Sequence, residues 1–328
     1  MSTRILIAAD PGLAAELSKA LPRPEFHIEA QLHEPQDLLP RVKETRPQLV
    51  LLQLGLAKRD GHRCVQDLMA FAPTPILLVA GPVEDPAEAF EALAAGALDA
   101  VRFAEGQGAD LARRARLLAG VRVITHVRAR RSHNRRNDVT DLRTKLVAVG
   151  ASLGGPRALA QLLHDLRGPL PAPMLIVQHI SDGFSEGLAH WLAAETGTPV
   201  REVTHQMPLT PGLIAVAPSG KQLEVREGKA VLLDDPPDGG FKPSVSTMFR
   251  SVARHYGQRG IGVILTGMGQ DGADGLLEMR RQGARTFAQD EATCVVFGMP
   301  RAAWELGAVE AMLPLDQLAI SIRRSVEG

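Results

Sequence analysis

The sequence has few cysteines, few aromatic residues, no net charge and no long apolar run. Its 328 residues include two cysteines, Cys64 and Cys294, which are too few for a disulfide framework. Lys and Arg number 37, as do Asp and Glu, so no globally basic surface for nucleic acid is indicated. No apolar run reaches the ~18 residues that span a bilayer, and the first residues indicate a strand rather than a signal peptide. We therefore expect a cytoplasmic protein with reduced thiols, not inserted in a membrane and not binding nucleic acid.

The length is sufficient for two domains, each with its own core. Residues 1–120 show five alternating strand and helix patterns, which predict a parallel sheet with helices on both faces, the flavodoxin-like (βα)5 fold. The predicted strands are Arg4–Ala9, Phe26–Ala30, Gln48–Leu54, Pro75–Ala80 and Leu98–Phe103. The predicted helices are Gly12–Leu21, Gln36–Thr45, His62–Phe71, Pro86–Ala95 and Gln107–Gly120.

The apolar periodicity fades over residues 121–143, where arginines accumulate. This stretch is interpreted as a basic linker, with a docking strip for an acidic partner or an acidic domain face as the alternative. Alternation resumes over 144–328, which predicts a second doubly wound α/β domain with a mostly parallel sheet. Within it, the segment Thr204–Gly240 is rich in Pro and Gly and is expected to form hairpins, and helices are expected toward the end.

The second domain opens with an apolar strand that ends in a short glycine- and serine-rich turn. The stretch Gly150-Ala151-Ser152-Leu153-Gly154 fits the Gly-x-Ser-x-Gly nucleophile elbow, and Pro156 suits the first turn of a helix. Small flanking residues allow a sharp turn that exposes the serine hydroxyl. The helix N-terminus behind it offers N–H groups to an oxyanion. The pattern therefore indicates acyl transfer through Ser152, with a plain strand–helix connection as the alternative.

An activated serine requires a base and an orienting carboxylate. His179 directly follows the predicted strand Met174–Gln178, and Asp271 lies in the glycine-rich turn after the strand Gly260–Thr266. The carboxyl ends of strands are where open parallel sheets gather their functional groups. A structural role stays open for both, since His179 could line a polar crevice and Asp271 could cap a helix.

A second motif suggests a different class of protein. Gly267-x-Gly269-x-x-Gly272 has the form of a dinucleotide fingerprint, and Asp290 follows the next strand. An NAD(P)-binding domain is therefore an alternative. It is disfavoured because two strand–helix units precede the motif and because it gives Ser152 and His179 no role.

Four segments together resemble the chemotaxis receptor methylesterases (the CheB family), which are protein-glutamate methylesterases and deamidases. The resemblance covers nearly all of residues 145–320. It is carried by Val149-Gly150-Ala151-Ser152-x-Gly154-Gly155, Gln178-His179, Val263-Ile264-Leu265-Thr266-Gly267-Met268-Gly269-x-Asp271-Gly272 and Ala288-Gln289-Asp290-Glu291-Ala292-x-Cys294-Val295-Val296-Phe297-Gly298-Met299-Pro300. Leu153 and Gln270 depart from the threonine and asparagine that are usual in the family.

The resemblance implies a triad of Ser152 as nucleophile, His179 as base and Asp271 as orienter. Backbone amides near Leu153 and Met268 are expected to hold the oxyanion. No metal and no cofactor is expected, since no metal-ligand spacing appears. The implied substrates are methylated glutamates on the cytoplasmic helices of chemoreceptors, with deamidation of glutamine as a further possible activity and signalling-array or docking proteins as possible partners. A catalytically silent adaptor in a signalling array is the alternative.

The first domain resembles the family's phosphorylation-controlled receiver only in its strand–helix pattern. A working receiver needs a phosphoryl-accepting aspartate at the end of the third strand and a hydroxyl at the end of the fourth. This sequence has Gln53 and Ala80 there, and Asp10 follows the first strand as a lone acid. Because an amide cannot form an acyl phosphate, we expect a receiver-like domain without a phosphorylation site.

Overall fold

The chain forms two compact units, Met1–Arg130 and Arg131–Gly328. The computed structural model describes residues 2–82, 84–85, 88–104, 106–121, 145–236 and 238–328. Apart from its first residue, the predicted basic linker at 121–143 lies outside these residues, so its boundaries stay a prediction. None of the helices in these ranges combines the length and the apolar character that crossing a bilayer requires.

The first unit is built on a five-stranded parallel sheet with the strand order β2-β1-β3-β4-β5. This order is that of flavodoxin-like folds, so the predicted fold class is confirmed. The three central strands are apolar and almost fully buried, as strands covered by helices on both faces must be. The strands are β1 Thr3–Ala8, β2 Phe26–Leu32, β3 Leu49–Gln53, β4 Ile76–Ala80 and β5 Asp99–Arg102.

The helices of this unit differ from the predicted ones mainly at their starts. They are α1 Pro11–Ala20, α2 Leu38–Thr45, α3 Leu54–Lys58, α4 Arg63–Phe71, α5 Ala89–Ala95 and α6 Gly108–Leu118. The predicted helix Gln36–Thr45 was wrong at its beginning, since a 3₁₀ turn over Pro35–Asp37 precedes α2. Helix α3 was not predicted because it follows β3 with no intervening glycine or proline to mark a boundary.

The second unit contains a seven-stranded sheet with the order β15-β14-β13-β6-β7-β10-β8, in which every pair is parallel. A separate three-stranded antiparallel sheet has the order β11-β12-β9. The predicted doubly wound, mostly parallel architecture is therefore confirmed. The strands are β6 Leu146–Ala151, β7 Met174–Gln178, β8 Val200–Glu202, β9 Met207–Pro208, β10 Ile214–Val216, β11 Gln222–Arg226, β12 Lys229–Leu233, β13 Gly260–Ile264, β14 Arg285–Gln289 and β15 Ala311–Leu313.

The prediction of hairpins over Thr204–Gly240 was right only in part. Strands β11 and β12 form an antiparallel hairpin, but β10 is a parallel strand of the main sheet and pairs with β7 and β8. Strand β15 lies in the region where only helices were predicted. Strand β8 was not predicted either. Each of these three missed strands, β8, β10 and β15, has only three residues, too few for a periodicity to distinguish it from a loop.

Six helices complete the described part of the second unit: α7 Gly155–Asp165, α8 Ser185–Thr196, α9 Val245–Tyr256, α10 Ala273–Arg281, α11 Met299–Glu305 and α12 Leu315–Glu327. Helix α9 packs on α10, β11 and β6, and it buries Met248, Phe249 and Val252 completely. This packing fixes the N-terminus of α9 near the central strands.

Strand β6 is flanked by β7, the next main-sheet strand along the chain, and by β13, which returns from the opposite side. The strand order therefore reverses beside β6. In doubly wound sheets, this reversal opens a crevice at the carboxyl ends of the strands. Ser152, His179 and Asp271 were predicted to follow β6, β7 and β13, and the carboxyl ends of these three strands lie at this crevice.

Candidate active site

Ser152 lies in the sharp turn that connects β6 to α7. Gly154 has φ of +77°, a left-handed conformation, and a Cβ there would approach Val295 Cβ to 2.6 Å. A Cβ on Gly155 would overlap the side-chain oxygen of Gln178. The turn can therefore form only with small residues at these positions, as the nucleophile-elbow pattern requires.

Ser152 and His179 occupy equivalent positions at the ends of neighbouring strands. Ala151 pairs in register with Gln178, and the His179 N–H donates to the Ala151 carbonyl over 2.9 Å. The Gln178 side-chain amide donates to the carbonyls of both Ser152 and His179, over 2.7 and 2.9 Å. A single amide thus ties together the backbones of the expected nucleophile and base.

His179 and Asp271 are joined by a buried hydrogen bond. The distance from His179 Nε2 to Asp271 Oδ2 is 2.8 Å, and the two side chains are 10% and 5% exposed. The residues are 92 positions apart in the sequence, and the convergence of β7 and β13 beside β6 brings them together. This is the contact expected between a base and its orienting carboxylate.

Asp271 also caps a helix, but not the one that follows it in the chain. Its carboxylate accepts hydrogen bonds from the N–H of Val245 at 2.7 Å, the N–H of Ser246 at 3.0 Å and the hydroxyl of Ser244 at 2.9 Å. These residues form the N-terminus of α9, where the partial positive charge of the helix favours an anion. The following helix α10 has Gly272 at its N-cap instead.

These contacts determine the charge of Asp271. Burial by itself raises the pKa of the carboxyl, because it disfavours the charged form. The hydrogen bond and charge of His179, with the N–H groups of Ser246 and Val245, outweigh burial, so the pKa of Asp271 lies below its ordinary value. Asp271 is therefore an anion at neutral pH and can stabilise a positive charge on the imidazole.

The second ring nitrogen of His179 is free to act. Nδ1 is buried and has no hydrogen-bond partner in the described part of the chain, so Ser152 Oγ does not donate to it in this conformation. Five other buried side-chain atoms of the described residues also lack a partner, His62 Nδ1 among them. What distinguishes His179 is that a buried carboxylate holds its other nitrogen and that it lies at a strand end next to that of Ser152. With Nε2 held by Asp271, Nδ1 is the nitrogen that remains for proton transfer.

The predicted oxyanion donors are the backbone N–H groups of Leu153, which follows Ser152, and of Met268. A Cβ on Gly267 would lie 2.8 Å from Ser152 Cβ, so the turn that carries Met268 lies against the elbow. The hydroxyl of Thr266 donates to the Leu153 carbonyl over 2.9 Å and so joins the two turns. No hydrogen bond from the N–H of Leu153 or Met268 to another described residue is found. Both groups are therefore available to a ligand.

Sequence reasoning missed three contributors to this site. Ser244 was not proposed as a site residue. Gln178 entered only as the last residue of a strand and as part of the Gln178-His179 motif, although a polar side chain at the end of a buried strand is a usable signal. Phe241, whose ring stacks on His179, carried no local signal, because the contact spans 62 positions, from 179 to 241. Among the described residues, no group of three or more His, Cys, Asp or Glu has an arrangement suited to a metal ion.

Gln53 ends β3 and is engaged in contacts with two acids of the first unit. Its side-chain oxygen accepts from the Asp10 N–H over 2.7 Å, and its amide donates to the carboxylates of Asp10 and Glu84 over 3.2 and 3.1 Å. Asp10 also pairs with Arg59 at 2.8 Å. The residue at the expected phosphoacceptor position is thus a structural amide in a closed polar cluster.

In the alternative dinucleotide motif, a pyrophosphate would bind at the N-terminus of α10, and in the structure this terminus is already occupied by other residues of the chain. The N–H of Gly272 donates to the Ser246 hydroxyl over 2.8 Å, and a Cβ on Gly272 would lie 2.6 Å from Val245 Cγ1. Asp290, the expected ribose ligand, accepts from the N–H and hydroxyl of Thr293 over 3.0 and 2.6 Å. The N-terminus of α9 therefore occupies the space in front of the first residues of α10, which is where a pyrophosphate would have to bind.

The sequence matches a known protein family over most of the second unit. Residues 147–322 match the family described as CheB methylesterase. A relative from Anaeromyxobacter dehalogenans, named protein-glutamate methylesterase/protein-glutamine glutaminase 2, is 45% identical over 98% of this chain and 96% of its own length. FrzG of Myxococcus xanthus, named a protein-glutamate methylesterase, is 42% identical over 86% of this chain and 85% of its own length.

A solved structure agrees with the architecture of the second unit. The CheB methylesterase catalytic domain of Thermotoga maritima is 33% identical to the aligned part of this chain, with a TM-score of 0.52. The match covers 55% of this chain and 98% of that domain.

Proposed function

This chain belongs to the CheB methylesterase family, and from that premise we propose that it hydrolyses glutamate methyl esters on chemoreceptors with Ser152, His179 and Asp271. The observation that carries the proposal is the environment of the His179 ring. One ring nitrogen is held at 2.8 Å by the buried anion Asp271, and the other is buried and unpaired at the strand end beside Ser152. Such a ring is prepared to take one proton and to return it.

In the first half of the reaction, Ser152 Oγ attacks the ester carbonyl of a methylated glutamate. Rotation of the Ser152 side chain toward the ring allows His179 Nδ1 to take the hydroxyl proton as the bond forms. The N–H groups of Leu153 and Met268 stabilise the resulting oxyanion. Nδ1 then gives its proton to the departing methoxide, methanol leaves, and the glutamyl group remains esterified to Ser152.

In the second half, a water molecule attacks the glutamyl–serine ester. His179 takes a proton from the water and returns it to Ser152 Oγ, which releases a glutamate carboxylate and regenerates the enzyme. Asp271 stays ionised throughout and stabilises the imidazolium. The same steps with an amide in place of the ester release ammonia, so deamidation of glutamine needs no further group.

The proposed substrates are the cytoplasmic helices of methylated receptors, with the enzyme itself in the cytoplasm. The decisive experiment measures methanol release from methylated receptor membranes by the intact chain and by Ser152→Ala. We expect release by the wild type and none above background from the variant. Equal release by both would refute the assignment of the nucleophile. Failure of a fluorophosphonate to label the well-folded wild type would instead favour the silent adaptor.

The proposal includes control of the enzyme by something other than phosphorylation of its own receiver-like domain. Gln53 has no carboxylate to accept a phosphoryl group, and its side chain is already bonded to Asp10 and Glu84. Acetyl phosphate should therefore leave methanol release by the full chain unchanged. A clear stimulation, accompanied by a phosphorylated residue among 1–120, would contradict this part of the proposal.

A further inference from the structure

An aromatic ring lies face to face with the expected catalytic base. The ring centroids of Phe241 and His179 are 4.2 Å apart, and the ring planes differ by 5°. Parallel stacking this close is a specific geometry rather than general apolar packing. The inference drawn from it rests on the proposed function of His179.

The backbone around Phe241 is fixed by several hydrogen bonds. Asp238 and Phe241 exchange N–H···O bonds of 3.1 and 3.0 Å, and the Gln222 side-chain amide donates to the Phe241 carbonyl over 3.1 Å. The same Gln222 accepts from the Ser244 N–H over 2.8 Å. The segment 241–246 therefore carries both the ring that covers His179 and the N–H groups that hold Asp271.

One hydrogen bond does not fix an imidazole ring. The bond from Nε2 to Asp271 sets where that nitrogen lies, but the ring can still turn about the direction of the bond and change the direction in which Nδ1 points. Contact with a parallel aromatic face opposes this rotation, because any tilt separates the two planes. An aromatic face also attracts the positive charge that the ring acquires after taking the serine proton.

We propose that Phe241 is a positioning residue for His179: it holds the plane of the imidazole with Nδ1 toward Ser152 and stabilises the imidazolium during the reaction. An aliphatic side chain of similar volume supplies apolar contact without the flat, electron-rich face. A tyrosine keeps that face. Comparison of Phe241→Leu with Phe241→Tyr therefore distinguishes the effect of the aromatic face from the effect of side-chain volume.

The test measures kcat and KM for methanol release, and the rate of fluorophosphonate labelling, in full-length wild type and both variants. For Phe241→Leu we expect kcat and the labelling rate to fall about 5- to 30-fold, with KM within about twofold of the wild type. Phe241→Tyr should stay within about twofold in all three quantities. Thermal unfolding of each variant shows whether the fold is intact.

Three results would overturn the proposal: an unchanged kcat in a folded Phe241→Leu, an equal loss in Phe241→Tyr, or a change confined to KM. Failure of the proposed function has a different signature, because the wild type then releases no methanol and takes up no label. The labelling rate does not depend on the natural receptor, so it tests the role of Phe241 even if the true substrate is another ester.

An independent observation concerns the first unit. The Glu84 carboxylate accepts from the N–H of Gly81 over 2.6 Å, just after β4, and from the N–H of Gly55 over 2.8 Å, just after β3. It also accepts from the Gln53 amide over 3.1 Å. A Cβ on Gly55 would collide with the carboxylate, so the fit depends on glycine there. An anion is thus held between the carboxyl ends of β3 and β4.

In a working receiver, this is the place of the phosphoryl group, since the phosphoryl-accepting aspartate ends the third strand and the hydroxyl ends the fourth. We infer that Glu84 is an internal substitute for that group and keeps the pocket of the receiver-like domain permanently filled. Backbone N–H groups at strand ends bind any suitable anion, and here the chain supplies its own carboxylate.

The test compares the thermal midpoint of the full chain with and without inorganic sulfate, for wild type, Glu84→Ala and the control Glu88→Ala. Glu88 lies four residues further along the chain and pairs with Lys58 at the surface, whereas the N–H groups of Gly55 and Gly81 donate to Glu84. Sulfate should raise the midpoint of Glu84→Ala by about 2 °C or more relative to the other two proteins. An equal response of all three proteins, or none in Glu84→Ala, would refute the inference.

Discussion

The carboxyl ends of the two parallel sheets carry polar clusters of opposite character. At the end of β3, Gln53 bonds to both Asp10 and Glu84, and Glu84 also accepts from nearby backbone N–H groups. At the ends of β6 and β7, by contrast, the His179 ring keeps a buried nitrogen without a partner in the described part of the chain. The first cluster has the hydrogen bonding of a structural element. In the second, an unpaired nitrogen beside a candidate nucleophile is available for proton transfer, and the surrounding fold must hold it in place.

The largest expected effect comes from removing the unpaired base. His179→Gln keeps a polar side chain of similar size but cannot transfer the proton, so kcat for methanol release should fall by about 10⁴-fold or more. Fluorophosphonate labelling of Ser152 should fall in parallel. Labelling at the wild-type rate in a folded His179→Gln would show that Ser152 reacts without this base.

The second-largest effect is expected from replacing the orienting anion, Asp271. In Asp271→Asn the shape is kept, but the amide can donate to His179 Nε2 and so favour the tautomer that carries its proton on Nδ1. We expect kcat to fall by about 10³- to 10⁴-fold with KM little changed, measured by methanol release. A loss of less than about tenfold would contradict the role assigned to Asp271.

Asp271 should also make the free energy of unfolding depend on pH in the acid range. Because the pKa of Asp271 is lower in the folded protein, its stabilisation is fully present above the unfolded-state pKa of about 3.9 and is lost as the pH falls through the folded-state value. The wild type should therefore lose more free energy of unfolding than Asp271→Asn between pH 5 and pH 2, by denaturant titration. Parallel pH curves for the two proteins would contradict this assignment.

A smaller effect is expected from Ser244→Ala. The variant loses the hydroxyl bond to Asp271 and the N-cap bond from the Thr247 N–H, of 2.9 and 3.2 Å. We expect a loss of about 1 kcal/mol in the free energy of unfolding and a several-fold lower kcat. Ser219→Ala is the matched control, since Ser219 Oγ is buried without a partner among the described residues. If Ser244→Ala and Ser219→Ala change the free energy of unfolding and kcat equally, the Ser244 hydroxyl has no specific role at the site.

The smallest effect is expected in the first unit. Gln53→Asp restores the carboxylate of a phosphoacceptor, yet Glu84 still occupies the adjacent pocket and Asp10 is still the single acid after the first strand. Acetyl phosphate should therefore neither phosphorylate this variant nor change its methanol release. Stoichiometric phosphorylation of Gln53→Asp, detected by mass spectrometry of the intact protein, would show that the cluster is less closed than its hydrogen bonds indicate.

The sequence predicted the features that depend on local pattern. Long buried strands such as β6 and β13 have clear apolar runs, and Ser152, His179 and Asp271 were found because each follows such a run. The elbow was predictable since only small residues fit its turn. Three-residue strands such as β10 were missed, because three residues carry no periodicity.

The contacts around the candidate triad could not be predicted in the same way. The bonds from Ser244, Val245 and Ser246 to Asp271 join elements about 25 residues apart, and the stacking of Phe241 on His179 joins more distant ones. Glu84 fills its pocket from the segment after β4, where nothing in the local sequence marks an anion-binding role. Such contacts follow from the packing of whole elements, which residue patterns alone do not specify.

The most direct test of the account is to map where a fluorophosphonate reacts on the intact protein. We predict a single covalent adduct on the peptide that contains Ser152, absent from Ser152→Ala and strongly slowed in His179→Gln. An adduct that persists in Ser152→Ala, or a well-folded wild type that takes up no label, would contradict the claim that β6, β7 and β13 assemble a working nucleophile, base and anion.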